Sequence, residues 1–174
     1  MAELNRLSRF AEFRGLSWPS DFHSKFTGER VHVAAVCYRL RDGEPEFLLV
    51  RTRGGRWTFP KGGVDDDATH AEAAAREAFE EAGVKGRIEH EPFHWYFHSK
   101  SQRFRAFQNT VAVQAHLCEV HRQVPPKEDH RDPTWFKVEK ARRRLRENRA
   151  PELADSVIEV LDRAIARIRT RRAA

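Results

Sequence analysis

The segment Thr69–Gly83 carries both ends of a helix in its own side chains. Thr69 and Glu72 have the Thr-x-x-Glu spacing of a capping box. Gly83 stands where a helix stops in the left-handed conformation, and alanines 71, 74, 75, 78 and 82 fall on one side between the two signals. The spacing predicts a helix from about His70 to Ala82. Apolar, β-branched runs lie on either side of it. Before it come Val31–Leu40 (VHVAAVCYRL) and Glu46–Thr52 (EFLLVRT), joined at Arg41-Asp42-Gly43-Glu44-Pro45, where Asp-Gly supplies the positive φ of a tight hairpin turn. After it come Val84–Ile88, His94–His98 and a long run over Phe104–Leu117. A helix set among strands places the chain in the α/β class.

The rest of the chain fits around that unit. Gly54–Gly63 reads as a glycine-rich loop around a short apolar strand, Pro125–Pro133 as a loop, and Thr134–Val138 as a short strand. Two helical segments follow. In the second, about 151–172, Leu153, Val157, Val160, Leu161, Ala164, Ile165 and Ile168 recur at helical spacing opposite Arg163, Arg167 and Arg169. Residues 1–29 form a mixed lead-in, irregular or a short helix, and 30–174 a single domain, as 174 residues allow.

Charge is where a function first suggests itself. The chain holds 32 Lys+Arg against 26 Asp+Glu, a net +6, which invites nucleic acid as a partner. Its distribution argues otherwise, since residues 1–136 hold 20 of each sign and 137–174 hold 12 bases against 6 acids. Nucleic acid is therefore not the expected partner, and the arginines at 163, 167, 169, 171 and 172 are expected to be a solvated helix face. Acidic and basic residues interrupt the first 26 positions, so no signal-peptide core is expected there, and no apolar run approaches a membrane span. Cys37 and Cys118 sit in apolar strands and read as small buried thiols. A soluble, reducing, cytoplasmic setting is the expectation.

The chemistry is concentrated on the predicted helix. Glu77, Glu80 and Glu81 are spaced i, i+3 and i+4, so three carboxylates crowd one side of its last two turns, near the negative end of the dipole. Residues 65–81 hold seven acids and one base, Arg76, placed to pair with Glu80 at i+4. Without a counter-ion that arrangement is destabilising, and a local rule broken so heavily marks a functional site. A hard divalent cation reverses each penalty, and Mg²⁺ commonly completes its shell with substrate phosphates.

Gly62, Arg76, Glu77, Glu80, Glu81 and Gly83 stand at the spacing of the Nudix box, which the segment Gly62–Val84 resembles. Two positions depart from it: Ala68 stands where a Glu is usual and Ala78 where a bulky aliphatic is usual, with Asp66 or Asp67 near the first. Three segments in the same order are similar to the diphosphoinositol polyphosphate phosphohydrolases: Arg56–Gly63 (RWTFPKGG), Arg76–Gly86 (REAFEEAGVKG), and Trp135–Glu139 with Ala141 and Leu145. The likeness spans roughly residues 30–150.

The resemblance implies an αβα sandwich with a mixed sheet between helices, and Mg²⁺-dependent hydrolysis of a phosphoanhydride bond, Mn²⁺ being an alternative metal. Glu77 and Glu81, with Glu80 beside them, would hold the metal together with a backbone carbonyl of Lys61 or Gly62. Glu80, supported by Arg76, would activate water, and Glu128 or Asp129 is the other candidate base. Substrate contacts carried over are Arg30, His32, Arg51, Thr52, Arg53, Lys61, Gly62, Gly63, Arg105, Arg131 and Arg149. The expected partner is a small polyphosphate, an inositol pyrophosphate or a dinucleoside polyphosphate. A nucleoside triphosphate, ADP-ribose or an RNA 5′ end is the alternative within the class.

Readings outside that class are also open. A non-catalytic domain holding RNA or phosphate through Arg142, Arg143, Arg144 and Arg146 is the competing one. His94, Trp95, Tyr96, Phe97 and His98 could stack a base, but alternation in a strand favours core and rim, with both histidines structural. Trp57 and Trp135 read as packing residues.

Overall fold

A computed structural model describes residues 31–99 and 110–173. The strands are β1 (His32–Arg41), β2 (Glu44–Arg51), β3 (Trp57–Thr58), β4 (Lys61–Gly63), β5 (Val84–Ile88), β6 (His94–Ser99), β7 (Thr110–Gln123) and β8 (Thr134–Lys137). The helices are α1 (His70–Ala82), α2 (Val138–Arg146) and α3 (Pro151–Ala173), with one 3₁₀ turn at Asp129–Arg131. The expected lead-in, Arg30 and Arg105 lie outside the described residues.

Eight strands form one sheet. Its main path is β3-β2-β1-β7-β5, with β4 added to β1, β6 to β7 and β8 to β2. β1 and β7 run parallel from His32↔Val113 to Tyr38↔Glu119, and the other pairings are antiparallel, so the sheet is mixed. The β1–β2 hairpin turns on Asp42 (φ 53°) and Gly43 (φ 81°), as the Asp-Gly pair predicts.

Strands covered on both faces read as continuous apolar runs, and β1 shows why. Ala34, Val36 and Tyr38 point to one face, where Phe47, Leu49, Val113 and Leu117 meet Ala141 and Leu145 of α2 and the Leu153–Ile168 stripe of α3. Val33, Ala35 and Cys37 point to the other, where Leu48, Val50 and Cys118 meet Ala73, Ala74, Ala78 and Ala82 of α1. This is an α/β sandwich of three layers. Cys37 and Cys118 are register partners on neighbouring strands, buried and free.

α1 begins and ends as its sequence dictates. Glu72 N–H donates to Thr69 Oγ1 at 3.2 Å and Thr69 N–H to Glu72 Oε2 at 2.9 Å, the two halves of the capping box. Gly83 closes the helix at φ 67°, and a Cβ there would lie 1.9 Å from the Val124 carbonyl oxygen. Its buried face uses Ala73 in place of Ala75, which is half-buried. The short Ala78 side chain, 1% exposed, lets the helix lie close on the sheet where a bulkier residue would hold it off.

Three expectations need correcting. Lys61–Gly63 is not loop but strand β4, because its backbone pairs with His32–Ala34 of β1. The last long strand extends to Gln123 rather than ending at Leu117. The arginines of α3 are not simply solvated: Arg167 and Arg171 meet the carboxylate of Glu89, 2.6 and 2.5 Å away, and Arg172 donates to the Gly43 carbonyl at 2.5 Å. Glu89 is 7% exposed, and a carboxylate so buried requires cations. Among the described residues no helix is long and apolar enough to cross a membrane.

Candidate active site

Two elements bring the acidic helix against backbone. β4 pairs with β1 and runs past the C-terminal half of α1. The Lys61 N–H donates to Glu81 Oε2 at 3.1 Å. A Cβ built on Gly62 would fall 2.2 Å from Glu77 Oε1, so the Glu77 carboxylate fills the space a side chain would take. Glu77 and Glu81 thus lie against the same two residues of β4.

The loop after β7 supplies cations to the same helix. Its backbone is fastened there first: Val124 N–H donates to the Gly83 carbonyl, and Lys127 and Glu128 N–H to the Glu80 carbonyl, at 2.8, 3.0 and 3.2 Å. These bonds satisfy carbonyls that a helix end leaves without partners. Lys127 Nζ then reaches Glu80 Oε1 at 3.1 Å. Arg131 Nη2 lies 2.5 Å from Glu81 Oε1, and Arg131 Nε donates to Glu128 Oε2 at 2.6 Å.

Arg76 takes a different partner from the one its i+4 spacing suggests. Its guanidinium is 2.7 Å from Asp65 Oδ2. Helical side chains lean toward the N-terminus, so Arg76 reaches back to the acidic run before the helix, and Glu80 is met by Lys127 instead.

Burial raises the pKa of Glu77, with repulsion from Glu80 adding to it. Glu81, 2% exposed, is pushed up to about 7 by burial, against the opposing pull of Arg131 and Lys61. Burial holds Lys61 down at about 8, Glu81 opposing and Arg131, Arg149 and Arg56 adding to it. Among the described residues no three His, Cys, Asp or Glu side chains are gathered about one point as a finished metal cage. The donor set nonetheless fits a hard divalent ion: two half- to fully buried carboxylates, carbonyl-bearing backbone beside them, and a glycine cradle that a Cβ would fill.

Beside the acids lies a cavity of about 710 Å³ lined by Thr52, Arg53, Gly54, Arg56, Lys61, His98, Glu128, His130 and Arg131. Of the carried-over contacts, Thr52, Arg53, Lys61 and Arg131 line it. Gly62 and Gly63 continue β4 beside it, and His32 pairs across from Gly63. Arg51 is turned onto the Trp57 ring, 4.6 Å from its centroid, and lies 3.3 Å from Asp132. Arg149 donates to the Leu145 and Trp57 carbonyls at 2.5 and 2.7 Å, tying the end of α2 to β3. Glu128, the other candidate base, faces the cavity but is bonded to Arg131, and Asp129 is exposed on the 3₁₀ turn.

Arg56, His98 and His130 are cavity residues that sequence reasoning missed. Arg56 is 7% exposed and its pKa is lowered by burial. His98, which alternation reads as structural, sits in the cavity wall, held neutral by burial and by Lys61, Arg56, Arg149 and His32 around it. Alternation carried the signal: Tyr96, 1% exposed, faces inward, so His98 two residues on must do so too. Trp57 is buried edge-to-face on Phe136, centroids 5.0 Å apart, as a packing residue. His94 lies 3.6 Å from Glu159 of α3, away from the cavity lining.

The basic surplus of α2 is largely spent internally. Arg142 is 2.6 Å from Asp162, Arg144 2.9 Å from Glu147 and Arg146 3.7 Å from Asp155. Arginines so paired form a poor phosphate-binding stripe, which disfavours the RNA-binding reading.

Comparison with known proteins places the chain in a family and matches its fold. Residues 30–157 match the model of the NUDIX domain. The chain is 34% identical over 144 residues to Nudix hydrolase 18, mitochondrial, of Arabidopsis thaliana, covering 77% of this chain and 79% of that protein. It is 33% identical over 116 residues to diphosphoinositol polyphosphate phosphohydrolase 2 of Rattus norvegicus, covering 66% and 62%. In fold it is similar to a C. elegans Ap4A hydrolase (TM-score 0.59, 22% identity, 82% of this chain and 99% of that one). It is also similar to the NUDIX domain of Shewanella oneidensis NrtR complexed with ADP ribose (TM-score 0.60, 18% identity, 91% and 97%).

Proposed function

This chain belongs to the Nudix hydrolase family, and from that premise we propose that it hydrolyses a phosphoanhydride bond in a small, highly anionic substrate. The observation that carries the reading is the cavity itself. Arg56, Lys61 and Arg131 crowd together there with Arg53 at the rim, and among the described residues Glu128 is the one acid of the lining. So much buried positive charge is unfavourable until an anion enters, and several phosphates supply what one cannot.

Glu77, Glu81 and a carbonyl of Lys61 or Gly62 would hold Mg²⁺, with Mn²⁺ an alternative. Such an ion, when bound, lowers the pKa of water and neutralises charge on a diphosphate. Glu80, half-buried and next to Glu81, with Lys127 Nζ 3.1 Å from its Oε1, orients or deprotonates the attacking water. Arg53, Arg56, Lys61 and Arg131 bind phosphate oxygens and set the direction of the leaving group. Neutral His98 fills the wall with a hydrogen-bonding ring that adds no charge.

Inositol pyrophosphates and dinucleoside polyphosphates are the favoured substrates. The rat relative's name supports the first and that of the nematode structure the second. ADP-ribose, bound in the NrtR domain, represents the competing nucleoside diphosphate derivatives. The free thiols of Cys37 and Cys118 support a reducing compartment, the cytoplasm.

The test is a panel of diadenosine polyphosphates, inositol pyrophosphates, ADP-ribose and nucleoside triphosphates with Mg²⁺, scored by released phosphate or nucleotide. Turnover of the polyanionic members, abolished by Glu81→Gln in a folded protein, is the expected result. No turnover of any member, together with RNA binding unaffected by Glu81→Gln, would return the protein to the binding class.

A further inference from the structure

The two oxygens of Glu81 are held by partners of opposite character. Oε2 accepts the Lys61 N–H, a backbone group pinned by the β1–β4 pairing. Oε1 faces Arg131 Nη2 at 2.5 Å, the end of a long side chain. That side chain is only 18% exposed, lines the cavity, and keeps a second carboxylate, Glu128, on its Nε. Its root is stationary, because the loop that bears it is bonded through Lys127 and Glu128 N–H to the Glu80 carbonyl. Only the guanidinium need move.

A cation on Glu81 and the Arg131 guanidinium compete for the same oxygen. We infer that Arg131 is an exchangeable counter-ion: it neutralises buried Glu81 in the resting protein and, when a divalent ion takes that carboxylate, is released into the cavity to bind substrate phosphate. The inference rests on the proposed hydrolase reading and deepens it. Arg131 must leave Glu81 both for metal to enter and for itself to grip an anion, so the two binding events reinforce each other, and linkage makes the gain reciprocal. Glu128 holds the Nε throughout and limits how far the side chain swings.

The test is on metal-free full-length protein. Mn²⁺ is titrated without substrate and free Mn²⁺ followed by electron paramagnetic resonance, for wild type, Arg131→Met and Arg131→Lys. Removing the competitor should tighten Mn²⁺ binding about tenfold, a difference of ~1.4 kcal/mol, while Arg131→Lys stays near wild type. In ¹⁵N-labelled wild type, the Arg131 Nε–H resonance should shift on adding Mg²⁺, and again on adding methylenediphosphonate.

Unchanged or weaker Mn²⁺ affinity in folded Arg131→Met would overturn the exchange, as would an Nε–H resonance that stays in place at saturating Mg²⁺. Should Arg131→Met not fold, the wild-type resonance decides alone. Wild type that binds no divalent ion would remove the hydrolase reading and the exchange together. Wild type that binds Mn²⁺ with no response to Arg131→Met would remove only the exchange. Exchange seen in a protein that turns over nothing on the panel would leave the exchange standing and remove the hydrolase reading.

Discussion

The carboxylate of Glu77 occupies the volume in which any residue other than glycine at position 62 would carry its Cβ. The nearest oxygen would be 2.2 Å from that atom, a distance at which something must shift. Gly62→Ala should therefore push Glu77 off β4. Because the displaced atoms are the end of a flexible side chain, we expect stability to change by less than about 1 kcal/mol, below the usual cost of overpacking, with Mn²⁺ affinity and turnover falling more than tenfold. Parallel urea unfolding and metal titration check it; a variant with wild-type metal affinity contradicts the cradle.

Glu80 and Glu128 are separable as candidate bases by their surroundings. Glu80 stands on the helix beside Glu81 with Lys127 as its cation, whereas Glu128 is already bonded to Arg131. Glu80→Gln should lower kcat by roughly 10²–10⁴-fold, the range for a lost general base, with KM little changed. Glu128→Gln should act mainly on KM by loosening Arg131. Steady-state kinetics on the best panel substrate distinguishes the two.

Two buried histidines predict acid lability. His94 is held down at about 4 by burial, with Arg163 adding to it, and His98 is depressed still further. Both folded pKa values lie below the unfolded value near 6.5, so the unfolded chain binds more protons as pH falls through that value. Their contribution to stability is then full above about pH 6.5 and lost below it, by roughly 2 kcal/mol at pH 5 after allowing for the partial exposure of both rings, while Glu81, raised to about 7, contributes in the opposite direction as pH falls through the same range. Urea midpoints from pH 7.5 to 4.5, compared between wild type and His94→Gln, should show the variant gaining on wild type as pH falls, because only the His94 share of the histidine loss is removed. A difference between the two proteins that does not change with pH over that range argues against a neutral His94 ring.

Glu89 anchors the last helix. It is buried, and Arg167 and Arg171 both converge on it. Glu89→Ala leaves two cations without their acceptor and should cost about 2 kcal/mol, typical of charged hydrogen bonds. Urea unfolding measures the loss, and turnover on the remaining folded protein should be near wild type because Glu89 is absent from the cavity lining.

Much of this was legible because it is local. The ends of α1 are written in Thr69, Glu72 and Gly83, the first hairpin in Asp42-Gly43, and the α3 stripe in its period; all three stand in the structure. What stayed hidden depends on distant partners. β4 is strand only because β1 lies beside it, and its glycines alone read as loop. Arg76 has acids in reach on both sides, and the lean of helical side chains decides for Asp65. Arg56 looked like one more loop cation until folding set it near Lys61 and His98. Three carboxylates on one helix announce a site; which cations answer them is a property of the whole fold.

The pairing of β4 with β1 has a kinetic meaning as well. Ala34↔Lys61 and Val33↔Gly62 are the alignments that deliver one amide to Glu81 and one bare α-carbon to Glu77. A slip of one residue inverts the pleat and would present both glutamates with the wrong neighbours while the rest of the sheet stayed intact. Competence should then arrive later than compactness during refolding, with secondary structure regained first and metal affinity only once this three-residue strand has found its place.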